Sequence, residues 1–110
     1  MRLVNLTGHD IVLVDGGGGL LTVPPSGKVA RCQLSKAVLV PLAVDGGKVA
    51  LRCLTPEIVR GLPLPEAGTM YLASQMVVAA ARRPDVLSVM GVRTDAEGRV
   101  VAARGLARLG

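Results

Sequence analysis

The chain has 110 residues, a formal net charge of +5, half of its residues hydrophobic, and one aromatic side chain, Tyr71. That length makes one small domain, spanning 1–110, and no apolar run reaches the roughly 18–20 residues of a membrane span. With no Phe or Trp, aliphatic branches must fill the interior, and no stack of aromatic faces is present for the bases of single-stranded nucleic acid.

In chain order, 2–6 and 10–14 read as strands joined by the tight Thr7-Gly8-His9 segment, and Gly16 to Gly19 as a flexible hairpin tip before a return arm over 20–24. Four glycines with no following Gly-Lys-Ser/Thr do not make a phosphate loop. Pro24-Pro25-Ser26-Gly27 is a turn, because proline presets φ and glycine admits positive φ. Strands follow over 28–34 and 36–44, the second placed at an edge by Pro41. Asp45-Gly46-Gly47 turns into a strand over 48–54. Thr55 before Pro56 predicts a short helix near 56–60.

Residues 69–73 predict a strand, and Ser74 then caps the main helix, over 74–83, which Pro84 stops. Met76 to Ala81 are apolar nearly all round, so this helix is expected to be buried on more than one side. A strand over 85–90 completes a β-α-β segment, and a last hairpin turns at Asp95-Ala96-Glu97-Gly98. Three stretches echo one another, after Gly27, Gly47 and Gly98: a glycine, a basic residue, then a Val/Ala run ending near Arg31, Arg52 and Arg104. Each reads as the second arm of a hairpin. The fold class is α+β, a β-rich set of hairpins around one buried helix. Aliphatic surface left over from so small a core predicts a homo-oligomer, a two-fold dimer being favoured.

Few residues are equipped for chemistry. His9 is the only histidine and sits at a turn beside Asp10; it is the one general acid/base candidate. Its structural alternative is a turn whose side chains bond the local backbone. Ser74 lacks the glycines of a nucleophile elbow, which leaves an N-cap or a contact to an anion. Cys32 and Cys53 have no Cys-x-x-Cys spacing, so no metal site is expected and buried free thiols are preferred. Arg31, Arg52, Arg93 and Arg104 fall inside predicted strands, where guanidinium groups fork onto phosphate or carboxylate.

Asn5-Leu6-Thr7-Gly8-His9, Pro24-Pro25-Ser26-Gly27-Lys28-Val29-Ala30-Arg31 and Gly68-Thr69-Met70-Tyr71-Leu72-Ala73-Ser74 resemble the motifs N-L-T-P-H, P-P-S-G-x-x-A-R and G-T-x-Y-x-x-S. These are shared by a group of small proteins of bacteriophages and high-GC bacteria, a group with no established activity. Gly8 stands where that pattern has Pro. The resemblance implies a phage or mobile-element origin and a constellation of Asn5, Thr7, His9, Ser26, Arg31, Tyr71 and Ser74.

The leading expectation is a cytoplasmic accessory protein, not an enzyme and without cofactor, that binds an anionic ligand, a nucleotide or a nucleic-acid backbone. Its expected contacts are Asn5, Thr7, His9, Arg31, Tyr71, Ser74 and Arg104, with several arginines converging. The alternatives are a nucleotide hydrolase using His9 and an interaction or structural module that docks on a host protein.

Overall fold

The computed structural model describes residues 1–34, 38–53 and 56–108. Six strands form one sheet in the order β1 (Arg2–Asn5), β8 (Thr69–Leu72), β9 (Val86–Thr94), β10 (Val100–Ala107), β2 (Ile11–Val14), β3 (Leu20–Val23). β1, β8 and β9 run parallel, as do β10 and β2, whereas β9–β10 and β2–β3 are antiparallel hairpins. Just past β3, Pro25 bridges Asn5 at the end of β1, and the Ser26 N–H donates to the Asn5 carbonyl at 3.0 Å. The two sheet edges therefore meet, and the sheet curls into a barrel, which removes exposed edges.

Alternation along the strands divides the core in two. All six strands send side chains into the first cluster: Leu3, Ile11, Leu13, Val23, Leu72, Leu87, Val89, Ala103 and Leu106. This is the barrel interior, filled by aliphatics alone. The alternate residues on β8 and β9, Tyr71 and Val86, point outward into the second cluster with Leu6, Ala30, Ala73, Val77 and Val78. That outer cluster is covered by helix α1 (Gln75–Ala81) and by the ladder of β4 (Arg31–Leu34) with β7 (Pro56–Arg60). α1 is the crossover of the β8-α1-β9 unit, whose strands are parallel.

Several expectations are corrected. Residues 56–60 form strand β7, not a short helix: Val59 pairs with Cys32, and both pack on the outer cluster. One turn of helix gains little by itself, whereas β-branched Ile58 and Val59 suit a ladder. The main helix is shorter than 74–83, since Arg82 at φ 51° closes it in the left-handed conformation. Only Val77 and Val78 on it are fully buried, Met76 and Ala79 lying in solvent. The stretch after Gly27 leads into β4, whose partner is β7 and not β3, so that echo is not the return arm of a hairpin; the echoes in β6 (Gly47–Cys53) and β10 are. Both cysteines are free, but Cys53 is exposed and Cys32 only half-buried.

β5 (Val38–Val44) and β6 (Gly47–Cys53) pair only with each other, as a two-stranded ribbon. It packs extensively on no other described element. With this arm the radius of gyration is 17.1 Å, against about 13 Å for a compact chain of this length. Among the described residues no helix is long and apolar enough to cross a membrane.

Candidate functional site

A buried asparagine shapes the loop at the carboxyl end of β1. Asn5 is 1% exposed. Its Oδ1 accepts from the Thr7 N–H at 2.8 Å and from Thr7 Oγ1 at 2.6 Å; its Nδ2 donates to the carbonyls of His9 at 2.8 Å and Val23 at 2.9 Å. These four bonds use the whole capacity of the amide. They fold residues 5–9 into a bracket that also holds the end of β3. His9 lies on that bracket with Nδ1 2.9 Å from the Asp10 carbonyl. A carbonyl only accepts, so a neutral ring carries its proton on Nδ1 and leaves the Nε2 lone pair free to accept.

Leu6 continues the ladder, its N–H donating to the Leu72 carbonyl at 2.8 Å, and its own carbonyl takes the Ala30 N–H at 3.0 Å. That bond delivers Arg31, the first residue of β4, to the same region. On the other side β8 ends at Leu72, and Ser74 opens α1 with Oγ accepting the Val77 N–H at 3.3 Å. Between these elements, β9 and β10 lies a cleft of about 680 Å³, within the size range of small-molecule sites. Its polar lining is Thr7, His9, Asp10, Arg31, Cys32, Ser74, Gln75 and Ser88. Its floor is small and aliphatic, with Ala30, Ala73, Ala102 and Ala103 among valines, Leu6 and Ile11.

Four of the seven expected contact residues, Thr7, His9, Arg31 and Ser74, therefore share one cleft. The other three lie elsewhere. Asn5 is beneath the loop, as its builder. Tyr71 is buried in the outer cluster with its hydroxyl donating to the Leu64 carbonyl at 3.1 Å. Arg104 is exposed on β10, its stem against Gly91. Arg52 stands on the ribbon and Arg93 on β9, and neither lines the cleft. Ser26 acts locally, its Oγ accepting from the Lys28 N–H at 3.3 Å. Arg31, Arg52 and Arg104 stand four, five and six positions after Gly27, Gly47 and Gly98, so the echoes do not share one phase, and the fold puts the three on different strands, β4, β6 and β10.

Sequence reasoning did not single out Ser88 or Gln75. Ser88 is the one polar residue in the Val86–Met90 run and is buried; a lone hydroxyl at a buried strand position was the available signal. Ser74 is occupied as a cap on a seven-residue helix, so the helix start supplies no separate anion site.

Away from the cleft, Arg83 grips Asp85 with two bonds, Nε–Oδ1 at 3.0 Å and Nη2–Oδ2 at 2.6 Å. It also donates from Nη1 to the Pro63 carbonyl at 2.8 Å and lies 5.9 Å from the Tyr71 ring centre. The hydrogen-bonded guanidinium holds the Asp85 carboxyl below the ordinary carboxylate range, burial opposing it only in part. This knot ties the 63–65 connector to the end of α1 and is structural. Among the described residues no three His, Cys, Asp or Glu side chains gather as a metal-binding group. Comparison with protein-family models, curated proteins and solved structures finds no match for this chain.

Proposed function

We propose that this chain is a binding protein that holds a small anionic ligand of nucleotide size in the cleft, without transforming it. The observation that carries the reading is the cleft's make-up. Arg31 and His9 border a cavity of about 680 Å³ whose floor is aliphatic and whose walls carry the hydroxyls of Thr7, Ser74 and Ser88. A guanidinium suits an anionic group, hydroxyls and the Gln75 amide suit a sugar or similar polyol, and the alanine floor admits a flat apolar body. Calorimetric titration with mono-, di- and cyclic nucleotides tests it. Binding by one of them and at least a tenfold loss in Arg31→Ala are expected; no heat from any, or an unchanged Arg31→Ala, rejects the reading.

The free Nε2 of His9 favours nucleotide hydrolysis as the second reading. Product appearing in the same mixtures, and disappearing in His9→Ala, would replace binding by turnover.

A self-associating arm is a further proposal, for the β5–β6 ribbon. The register puts Val40, Leu42, Val44, Val49 and Leu51 on one face, each between 37% and 50% exposed. Both cations, Lys48 and Arg52, fall on the opposite face with Leu39, Pro41, Ala43 and Ala50. In a chain of net charge +5, an uncharged apolar face is where two copies meet without repulsion, and a two-fold contact needs such self-complementarity. Sedimentation should show a dimer that Leu42→Asp dissociates; a monomer at all concentrations contradicts it.

A further inference from the structure

The β4–β7 ladder sets two arginines face to face. Its register pairs Arg31 directly with Arg60, one step from the pair Cys32–Val59. Residues opposite each other in an antiparallel ladder point to the same face with their Cβ atoms about 4.5–5.5 Å apart, and like charges there are destabilising. The arrangement is not free to slip. Cys32 and Val59 pack into the outer core cluster, so a one-residue shift would bury the arginines and expose the core. Beside Arg60, Gly61 at φ 81° lies so close that a Cβ there would stand 2.4 Å from the Val29 carbonyl oxygen. The backbone on both sides of the pair is held tightly.

Among the described residues the carboxylate pairs are Arg83–Asp85, Arg99–Asp95 and Arg99–Glu97. Neither Arg31 nor Arg60 belongs to one of these pairs. The fold sets the two arginines at opposed ladder positions, both exposed, and Arg31 lines the cleft. A phosphate monoester carries close to two negative charges at neutral pH and presents three acceptor oxygens. Two guanidinium forks can hold it together, which a single carboxylate, with one charge, does not require.

We infer that Arg31 and Arg60 form a cross-strand clamp for the phosphate of a small phosphate monoester whose remaining part lies in the cleft. This rests on the reading of the cleft as a ligand site and names the ligand's class. It also adds Arg60 to the site.

The test follows thermal unfolding and calorimetry at constant ionic strength, with inorganic phosphate, adenosine 5′-monophosphate, adenosine and acetate as probes. In the wild type, phosphate should raise the melting temperature, and the monophosphate should bind at least tenfold more tightly than adenosine. Acetate should do neither. Arg60→Gln should melt no lower than the wild type when unliganded, because a repulsion is relieved. It should lose the phosphate-induced rise and bind the monophosphate at least tenfold more weakly, with Arg60→Lys between the two. Gln75→Trp, which narrows the cleft at an exposed position, should weaken the monophosphate and leave the phosphate effect intact.

An Arg60→Gln protein that responds to phosphate as the wild type does overturns the clamp, even if Gln75→Trp shows that the cleft binds. Loss of the phosphate effect in Arg60→Gln with the monophosphate indifferent to Gln75→Trp keeps the clamp and removes the cleft reading. A wild type blind to phosphate and to the monophosphate overturns both.

Discussion

Asn5 and Asp85 show how single polar residues organise this chain. The amide of Asn5 satisfies four partners below the cleft loop, and the carboxylate of Asp85 anchors Arg83 at the end of α1. The Asp85 carboxyl is depressed in the folded state, chiefly by its hydrogen bonds with Arg83. A depressed carboxyl binds its proton less readily in the folded chain than in the unfolded one, whose value is about 3.9. Its stabilisation is therefore complete above about pH 5 and is lost as the pH falls through the folded value. Urea unfolding of the wild type between pH 7 and pH 3 should show a decline that Asp85→Asn largely lacks, the variant being weaker by about 1–3 kcal/mol at pH 7. Parallel pH profiles for the two proteins would show that the pair contributes nothing.

The same scale shows how far the site was legible. Thr7, His9, Arg31 and Ser74 were readable because each is a polar or charged residue at a turn or strand end that the fold brings to one place. Tyr71 and Asn5 carry groups able to bind a ligand, but those groups are consumed by the Leu64 carbonyl and by the loop. Burial decides which use prevails, and burial depends on neighbours distant in sequence. Arg60, which the proposed clamp adds, was not singled out for a related reason: it lies in a segment whose Thr-Pro start imitates a helix.

At the level of elements, most strands were legible from alternation and glycine turns, and α1 from its cap and its stop. What local signals could not supply was pairing. β7 exists because Val59 finds Cys32 and a place in the outer cluster, a contact between segments far apart in sequence. Gly61 makes that contact testable. An alanine there meets the Val29 carbonyl backbone and also requires a left-handed conformation, whereas at Gly68, with φ 73°, nothing lies within 4 Å. Gly61→Ala should cost at least about 2–3 kcal/mol by combined strain and clash, and Gly68→Ala only about 1–2 kcal/mol. Urea unfolding of the two variants side by side decides it; equal losses would mean that the crossing of β4 and β7 is looser than described.

The whole molecule is a small barrel with an aliphatic interior, a helix and ladder covering its outer cluster, and a ribbon standing apart. Composition foretold a pleated interior packed mainly with aliphatic branches. Closure was not foretold, because it depends on Asn5 meeting Pro25, a bridge between strands that are not neighbours in the chain. That same closure places the bracket of residues 5–9 at the cleft that we propose as the ligand site. The most direct measurement is an amide-resolved NMR titration of the 110-residue chain with adenosine 5′-monophosphate. The amides of Thr7, His9, Arg31, Arg60, Gln75 and Ser88 should shift together and saturate at one affinity, while those of the ribbon from Leu39 to Arg52 stay in place. Shifts confined to the ribbon, or none at saturating nucleotide, would contradict a cleft built for a phosphorylated ligand.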